Sequence, residues 1–315
     1  MIHQWAIATH SLTKQFDRQL AVRDVDLQIA AGDVYGLIGP NGAGKTTLIR
    51  LLAGVEEPTI GEILIDGDPL RFDQPNFLLK RRIGYLPDDF PLYDDLHVWD
   101  YLDYFARLYD LSDPRRSQRL WEILELVDLT SKRQAPIHTL SRGMKQRLGL
   151  ARTLIHEPII LLLDEPVSGL DPLARQQFRQ IIKVLQSAGM TILISSHVLS
   201  DLAELCTSVG IMELGHLVES TRLRDLYQRL ARQQLLISCL GDPATLHTYL
   251  LNYPQVEGLQ INPLGQIQVD FTGDELACAE LLKALVMAGI PVSHFQRTQE
   301  DLETIFLKLD HQQVG

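Results

Sequence analysis

Short runs of apolar, β-branched residues alternate with longer segments of helical spacing across the first two-thirds of the chain. VYGLIG (34–39), ILID (63–66), IGYL (83–86), IILLLD (159–164), TILISS (191–196) and SVGIME (208–213) predict strands. Several are apolar almost throughout, the pattern of strands covered on both faces of a mostly parallel sheet. Between them, 95–111, 117–128, 141–156 and 172–188 place apolar residues at helical intervals. Strand and helix in repeated alternation predict an α/β core. After about residue 220 the rhythm changes. LLISCL, a helical stretch at 243–252, GLQIN, QIQVDF, a helix at 275–289 and PVSHF give a β-α-β-β-α-β order, which predicts a small ferredoxin-like α+β domain. LYQRLARQQ, near 226–234, reads as the connection. A last helix carries Leu302, Ile305, Phe306 and Leu309 on one stripe. The expected domains are therefore 1–225 and 230–315.

Composition narrows the class. With 315 residues the chain suits about two domains. A net charge of -11 argues against a nucleic-acid partner, because phosphate backbones require a basic face. No run approaches the ~20 apolar residues of a membrane span, and MIHQWAIATH lacks the form of a signal peptide. Cys206, Cys239 and Cys278 are few, odd in number and scattered, which predicts no disulfide framework and a reducing compartment.

The chemistry begins at GPNGAGKTT (39–47), between the strand VYGLI and the helical LIRLLAG. It satisfies the phosphate-loop pattern in its required strand–loop–helix setting. Gly39, Gly42 and Gly44 let the backbone curl until its amides converge, with Pro40, Asn41 and Ala43 between them. A helix N-terminus adds partial positive charge at the same point. Lys45 supplies a full charge to the β- and γ-phosphates, Thr46 offers a hydroxyl to Mg²⁺, and Thr47 completes the loop. The chain is expected to bind a nucleoside triphosphate. Downstream, the strand in LLLDEP delivers Asp164, whose carboxylate reaches Mg²⁺ through water. Glu165, the next residue, points elsewhere and is the candidate general base. LSRGMKQR (140–147) is harder to place, since a serine, a glycine and several cations amount to only half an anion site.

The order of the motifs resolves it. GPNGAGKTT, LSRGMKQR, IILLLDEP, SGLD (168–171) and SSH (195–197) together resemble the ATP-binding-cassette (ABC) transporter ATPase over roughly residues 5–220. The C-terminal part resembles, more weakly, the extra domain of drug-resistance-type exporter ATP-binding proteins. The resemblance implies a phosphate-loop ABC core of mixed, largely parallel sheet with a helical subdomain at about 90–155. It also implies ATP and Mg²⁺ as cofactors and ATP hydrolysis coupled to transport. Two cassettes, two copies of this chain or this chain and a paralogue, would sandwich ATP, with Ser141 and the Gly143 amide serving the partner's γ-phosphate. Phe16 would stack on adenine, Asp171 would communicate across the interface and His197 would contact the γ-phosphate. The partner that carries substrate would be a separate integral membrane permease, holding the chain peripherally on the cytoplasmic face.

Two positions depart from the family pattern. Arg142 stands in place of a glycine of the signature's glycine pair, and its return to glycine is expected to be mild. Asp88 stands where the family has a glutamine that reaches Mg²⁺ and the attacking water. Aspartate still offers a hard oxygen, so Asp88 remains a candidate metal ligand. The alternative is a non-transport ABC ATPase of translation or DNA maintenance. A single phosphate loop, the short span of 48–139 and the acidic balance all count against it.

Overall fold

The apolar runs of the first two-thirds enter two different sheets. The structure, a computed structural model, describes residues 4–74, 76–197, 202, 204–230, 233–240, 243–262 and 266–298. The chain divides into two compact units, 1–223 and 224–315.

In the first unit, β1 (Trp5–Phe16), β2 (Gln19–Val25) and β3 (Gln28–Ala30) open an antiparallel sheet that the sequence pattern did not predict. After β4 (Val34–Ile38) and α1 (Lys45–Leu52), β5 (Ile60–Ile65) and β6 (Asp68–Pro69) join that same sheet. The run at 63–66 is thus a strand, but an antiparallel partner of β1 rather than a member of the parallel sheet. A single turn, α2 (Phe77–Lys80), leads to β7 (Ile83–Leu86). Then come the helices α3 (Val98–Leu108), α4 (Arg115–Leu126) and α5 (Arg142–Leu154). The order continues with β8 (Ile160–Leu163), α6 (Pro172–Ser187), β9 (Thr191–Ser196), β10 (Ser208–Glu213) and β11 (His216–Arg222).

The second sheet runs β11-β10-β4-β9-β8-β7 and is parallel except at its β11 edge. Every residue of β4, β8 and β9 is buried, which explains their unbroken apolar sequences. Ile7, Leu12 and Val25 from the antiparallel sheet share one core with Leu48 and Leu52 of α1 and Leu162 of β8. Because the inner strands are parallel, the loops after β4, β7, β8 and β9 all leave from the same edge.

Of the segment read as a connection, 226–234, the first half belongs to a helix, α7 (Leu223–Leu230), and the last two residues to β12 (Gln233–Cys239). There follow α8 (Pro243–Leu251), β13 (Val256–Ile261), β14 (Ile267–Phe271), α9 (Glu275–Met287) and β15 (Val292–Thr298). The sheet order β13-β14-β12-β15, antiparallel throughout, is the ferredoxin-like arrangement. Its core gathers Leu235, Ile237, Leu250, Val269, Phe271 and Leu281. The stripe Leu302, Ile305, Phe306 and Leu309 lies outside the described residues.

Candidate functional site

Four loops meet at the carboxyl edge of the parallel sheet. The loop after β4 turns through Gly44 at φ +102°, and a Cβ there would sit 2.3 Å from the Ala21 carbonyl oxygen, so only glycine fits. Gly44 caps α1 without a side-chain bond, which leaves the first-turn amides of that helix open toward the cavity. Lys45 is buried. Its Nζ donates to the carbonyls of Gly39 (2.7 Å) and Pro40 (3.2 Å) and lies 3.5 Å from Glu165 Oε1.

The two acids after β8 are separated by backbone conformation. Glu165 sits at φ +48°, in the left-handed region that costs a non-glycine residue about 1–2 kcal/mol. Ser195, fully buried at the end of β9, ties both residues down. Its hydroxyl donates to Asp164 Oδ1 at 2.7 Å, and the Glu165 amide donates to the same Oγ at 2.9 Å. Sequence reasoning passed over Ser195; its only signal was its place in SSH. On the other side, His197 Nδ1 lies 2.8 Å from Glu165 Oε2, so the carboxylate is held between Lys45 and His197.

Burial raises the Asp164 carboxyl above the usual carboxylate range, with Glu165 adding to the rise; Ser195, Thr46 and Lys45 oppose it. Asp164 Oδ2 is buried without a hydrogen bond of normal geometry, and Thr46 is near enough to bear on the same carboxyl. A buried carboxylate oxygen left open beside a threonine hydroxyl, at the foot of a phosphate loop, suits the donor set of a hard divalent cation. Asp88, in the loop after β7, is also raised, first by burial and then by the charges of Asp164 and Glu165; Arg142 pulls it back.

A cavity of about 570 Å³ joins these groups. Asn41, Gly42, Ala43 and Gly44 line it from the loop after β4, with Lys45, Thr46 and Thr47 from α1. Asp88, Glu165, Ser168 and His197 line it as well, as do Phe16, Gln19, Leu20 and Ala21. Phe16 is 43% exposed at the end of β1, with the Lys14 ammonium 4.8 Å from its ring centre. Gly39, Pro40 and Asp164 are not among the lining residues; the first two accept from Lys45 and the third from Ser195.

Ser141 and Gly143 are not among the lining residues. Ser141 caps α5, its Oγ accepting the Met144 amide at 3.3 Å, which leaves the hydroxyl proton free to donate outward. Gly143 abuts α6, where a Cβ would come within 2.6 Å of the Ala174 Cβ. Asp171 caps α6 through the Ala174 amide at 2.9 Å. The cations of LSRGMKQR have other tasks. Arg142 donates to the Ser168 carbonyl (3.0 Å), Lys145 to Asp94 (3.0 Å), and the buried Arg147 to the Val127 carbonyl (2.7 Å).

With this geometry in hand, comparison with known proteins is decisive. The ABC transporter family model matches residues 22–168. The chain is 34% identical over 305 residues to the bacitracin transport ATP-binding protein BcrA of Bacillus licheniformis, covering 96% of each. The chain belongs to the ABC transporter ATP-binding proteins. A further member, the Nod factor export ATP-binding protein I of Cupriavidus pinatubonensis, is 33% identical over 302 residues, or 94% of this chain and 88% of that one. Among solved structures, the dimeric structure of MJ0796, a bacterial ABC transporter cassette, superposes with a TM-score of 0.63 at 25% identity, covering 69% of this chain and 99% of that one. The ABC family binds ATP and hydrolyses it. No described helix is long and apolar enough to cross a membrane.

Proposed function

We propose that this ABC protein is the motor subunit of an exporter: two cassettes enclose ATP at shared sites, and their closure drives a separate integral permease from the cytoplasmic face. The observation that carries the reading is the separation of Ser141 and Gly143 from the chain's own phosphate loop. An outward hydroxyl at a helix start makes a γ-phosphate half-site without a nucleotide of its own, which suits a partner's nucleotide. The names of BcrA and of the Nod factor protein support outward transport, and the dimeric cassette supports pairing.

At each site Lys45 and the open α1 amides hold the phosphates, and Phe16 takes the adenine face. Glu165, oriented by His197, accepts a proton from water as the water oxygen bonds to the γ-phosphorus; the bond to the bridging oxygen breaks and ADP leaves. Mg²⁺ would be held by Thr46, by Asp164 through water and by Asp88, where it neutralises phosphate charge. Domain 1–225 would carry nucleotide binding, and the C-terminal domain from about 230 would tune pairing or partner coupling.

The test uses a Glu165→Gln background, read by nucleotide titration and size-exclusion chromatography. Lys45→Ala should weaken ATP binding to the isolated chain. Ser141→Arg should leave that binding nearly intact yet abolish the ATP-driven dimer, because a bulky cation replaces a donor at a closed interface. A Ser141→Arg chain that dimerises normally with ATP ends the shared-site reading.

A further inference from the structure

Three consecutive signature residues do three different things. Ser141 offers its hydroxyl outward, Gly143 abuts α6, and Arg142 between them reaches inward. Its Nη2 donates to the Ser168 carbonyl at 3.0 Å, and its guanidinium lies over the bare face of Gly169, where a Cβ would be 2.5 Å from Nη1. Ser168 lines the nucleotide cavity, and its own amide donates to the Glu165 carbonyl at 3.1 Å. Two hydrogen bonds therefore connect the residue bearing the reacting carboxylate to the edge of the half-site. The Asp88 carboxyl feels the same guanidinium charge. A glycine at 142 has no side chain with which to make this link.

We propose that Arg142 is a positioning residue that couples the two nucleotide sites of the pair: it transmits the state of a chain's own cavity to the signature that the same chain presents to its partner's nucleotide. This rests on the paired-site reading above. The link is short, because Arg142 holds the first turn of α5 to Ser168, and Ser168 is hydrogen-bonded to Glu165 in the wall of the cavity. It is also directional. The Arg142 of one chain affects hydrolysis at the partner's phosphate loop and leaves nucleotide binding in its own cavity unchanged. The expectation that Arg142→Gly is mild then applies to pairing, whereas coupling is lost.

The experiment uses full-length chains carrying two different affinity tags, so that mixed pairs can be isolated with ATP. One chain carries Lys45→Ala and has its own cavity empty; the other is intact. Turnover at the intact phosphate loop is compared with turnover per site in the doubly intact pair. The two rates should differ by about fivefold or more, the usual lower range of coupling between sites. Arg142→Gly placed on the Lys45→Ala chain should reduce that difference to within about twofold. The same change on the intact chain, whose signature faces the empty loop, should leave the difference as it was. Arg142→Lys, with a compact ammonium in place of a planar fork, should restore part of the coupling. Arg142→Gln serves as the second variant if glycine in the first turn unsettles α5, and it should behave as Arg142→Gly does. A difference that survives both Arg142→Gly and Arg142→Gln overturns the inference, as does a loss that is equal on either chain. Failure of the mixed pair to form with ATP overturns the paired-site reading itself.

Discussion

The two units of this chain are both sheets covered by helices, yet only one of them gathers chemistry. In the first, β4, β7, β8 and β9 are parallel, so the loops that follow them leave from one edge and meet. Lys45, Asp88, Glu165 and His197 come from four separate stretches of sequence and reach one cavity for that reason. In the second unit every neighbouring pair of strands is antiparallel, so the carboxyl ends of adjacent strands lie at opposite edges of the sheet. Strand direction, more than residue content, decides which unit can assemble a site.

The largest effect that tests this contrast lies at the convergent edge. Glu165→Gln should retain ATP binding and slow hydrolysis by roughly 10²–10⁴-fold, the usual contribution of a general base. Single-turnover hydrolysis measured beside nucleotide affinity checks it, and near-normal turnover would remove Glu165 from the role.

Next in size is a perturbation confined to the other unit. Leu281 is fully buried in α9. Leu281→Ala should cost that unit about 2–5 kcal/mol through lost burial and a residual cavity. If the division of labour holds, calorimetry shows the second unit melting earlier while ATP affinity stays within about twofold of the parent. Loss of ATP binding would show that the second unit supports the first.

The smallest effect distinguishes the first unit by pH. His156 stacks on Tyr109 with ring centres 4.3 Å apart, and its Nε2 donates to the Ile83 carbonyl at 2.9 Å. Burial holds its pKa below the ordinary value, with Arg81 and Arg119 adding to the effect against the Ile83 bond. A depressed base is neutral in the folded chain, while the unfolded chain takes up a proton as pH falls below about 6.5. Its stabilising contribution is therefore complete above that pH and is lost as pH falls toward the folded pKa, at no more than about 1.4 kcal/mol per pH unit. Urea unfolding of the parent and of His156→Phe, each at neutral and mildly acidic pH, should show the parent losing more. Equal losses would mean that His156 protonates alike in both states.

The same contrast explains what the sequence disclosed. The phosphate loop and the strand ending in Asp164 are local patterns, since their spacing depends on one loop and one strand. The antiparallel sheet escaped notice because β1 is broken by register shifts between Leu12 and Lys14 and again before Gln15, which disrupt the alternation. The segment at 226–234 reads as a connection, although its first half continues a helix begun at Leu223, with Leu226 and Leu230 at helical spacing. The grip of Arg142 could not be read at all, because it depends on a carbonyl and an uncovered glycine 26 and 27 positions away, which only the fold brings near.

The contact between Gly143 and Ala174 has a consequence for how such chains diverge. The two positions share one small volume, with no room for a Cβ on both. Alanine at 143 is conformationally favourable in a helix, by about 1 kcal/mol over glycine, yet it collides until 174 gives way. Glycine at 174 opens the space but weakens the first turn of α6 by a similar amount. Either order of change passes through a disfavoured intermediate. The pair is thus a two-letter word in the lineage, free to be rewritten only when both letters change together.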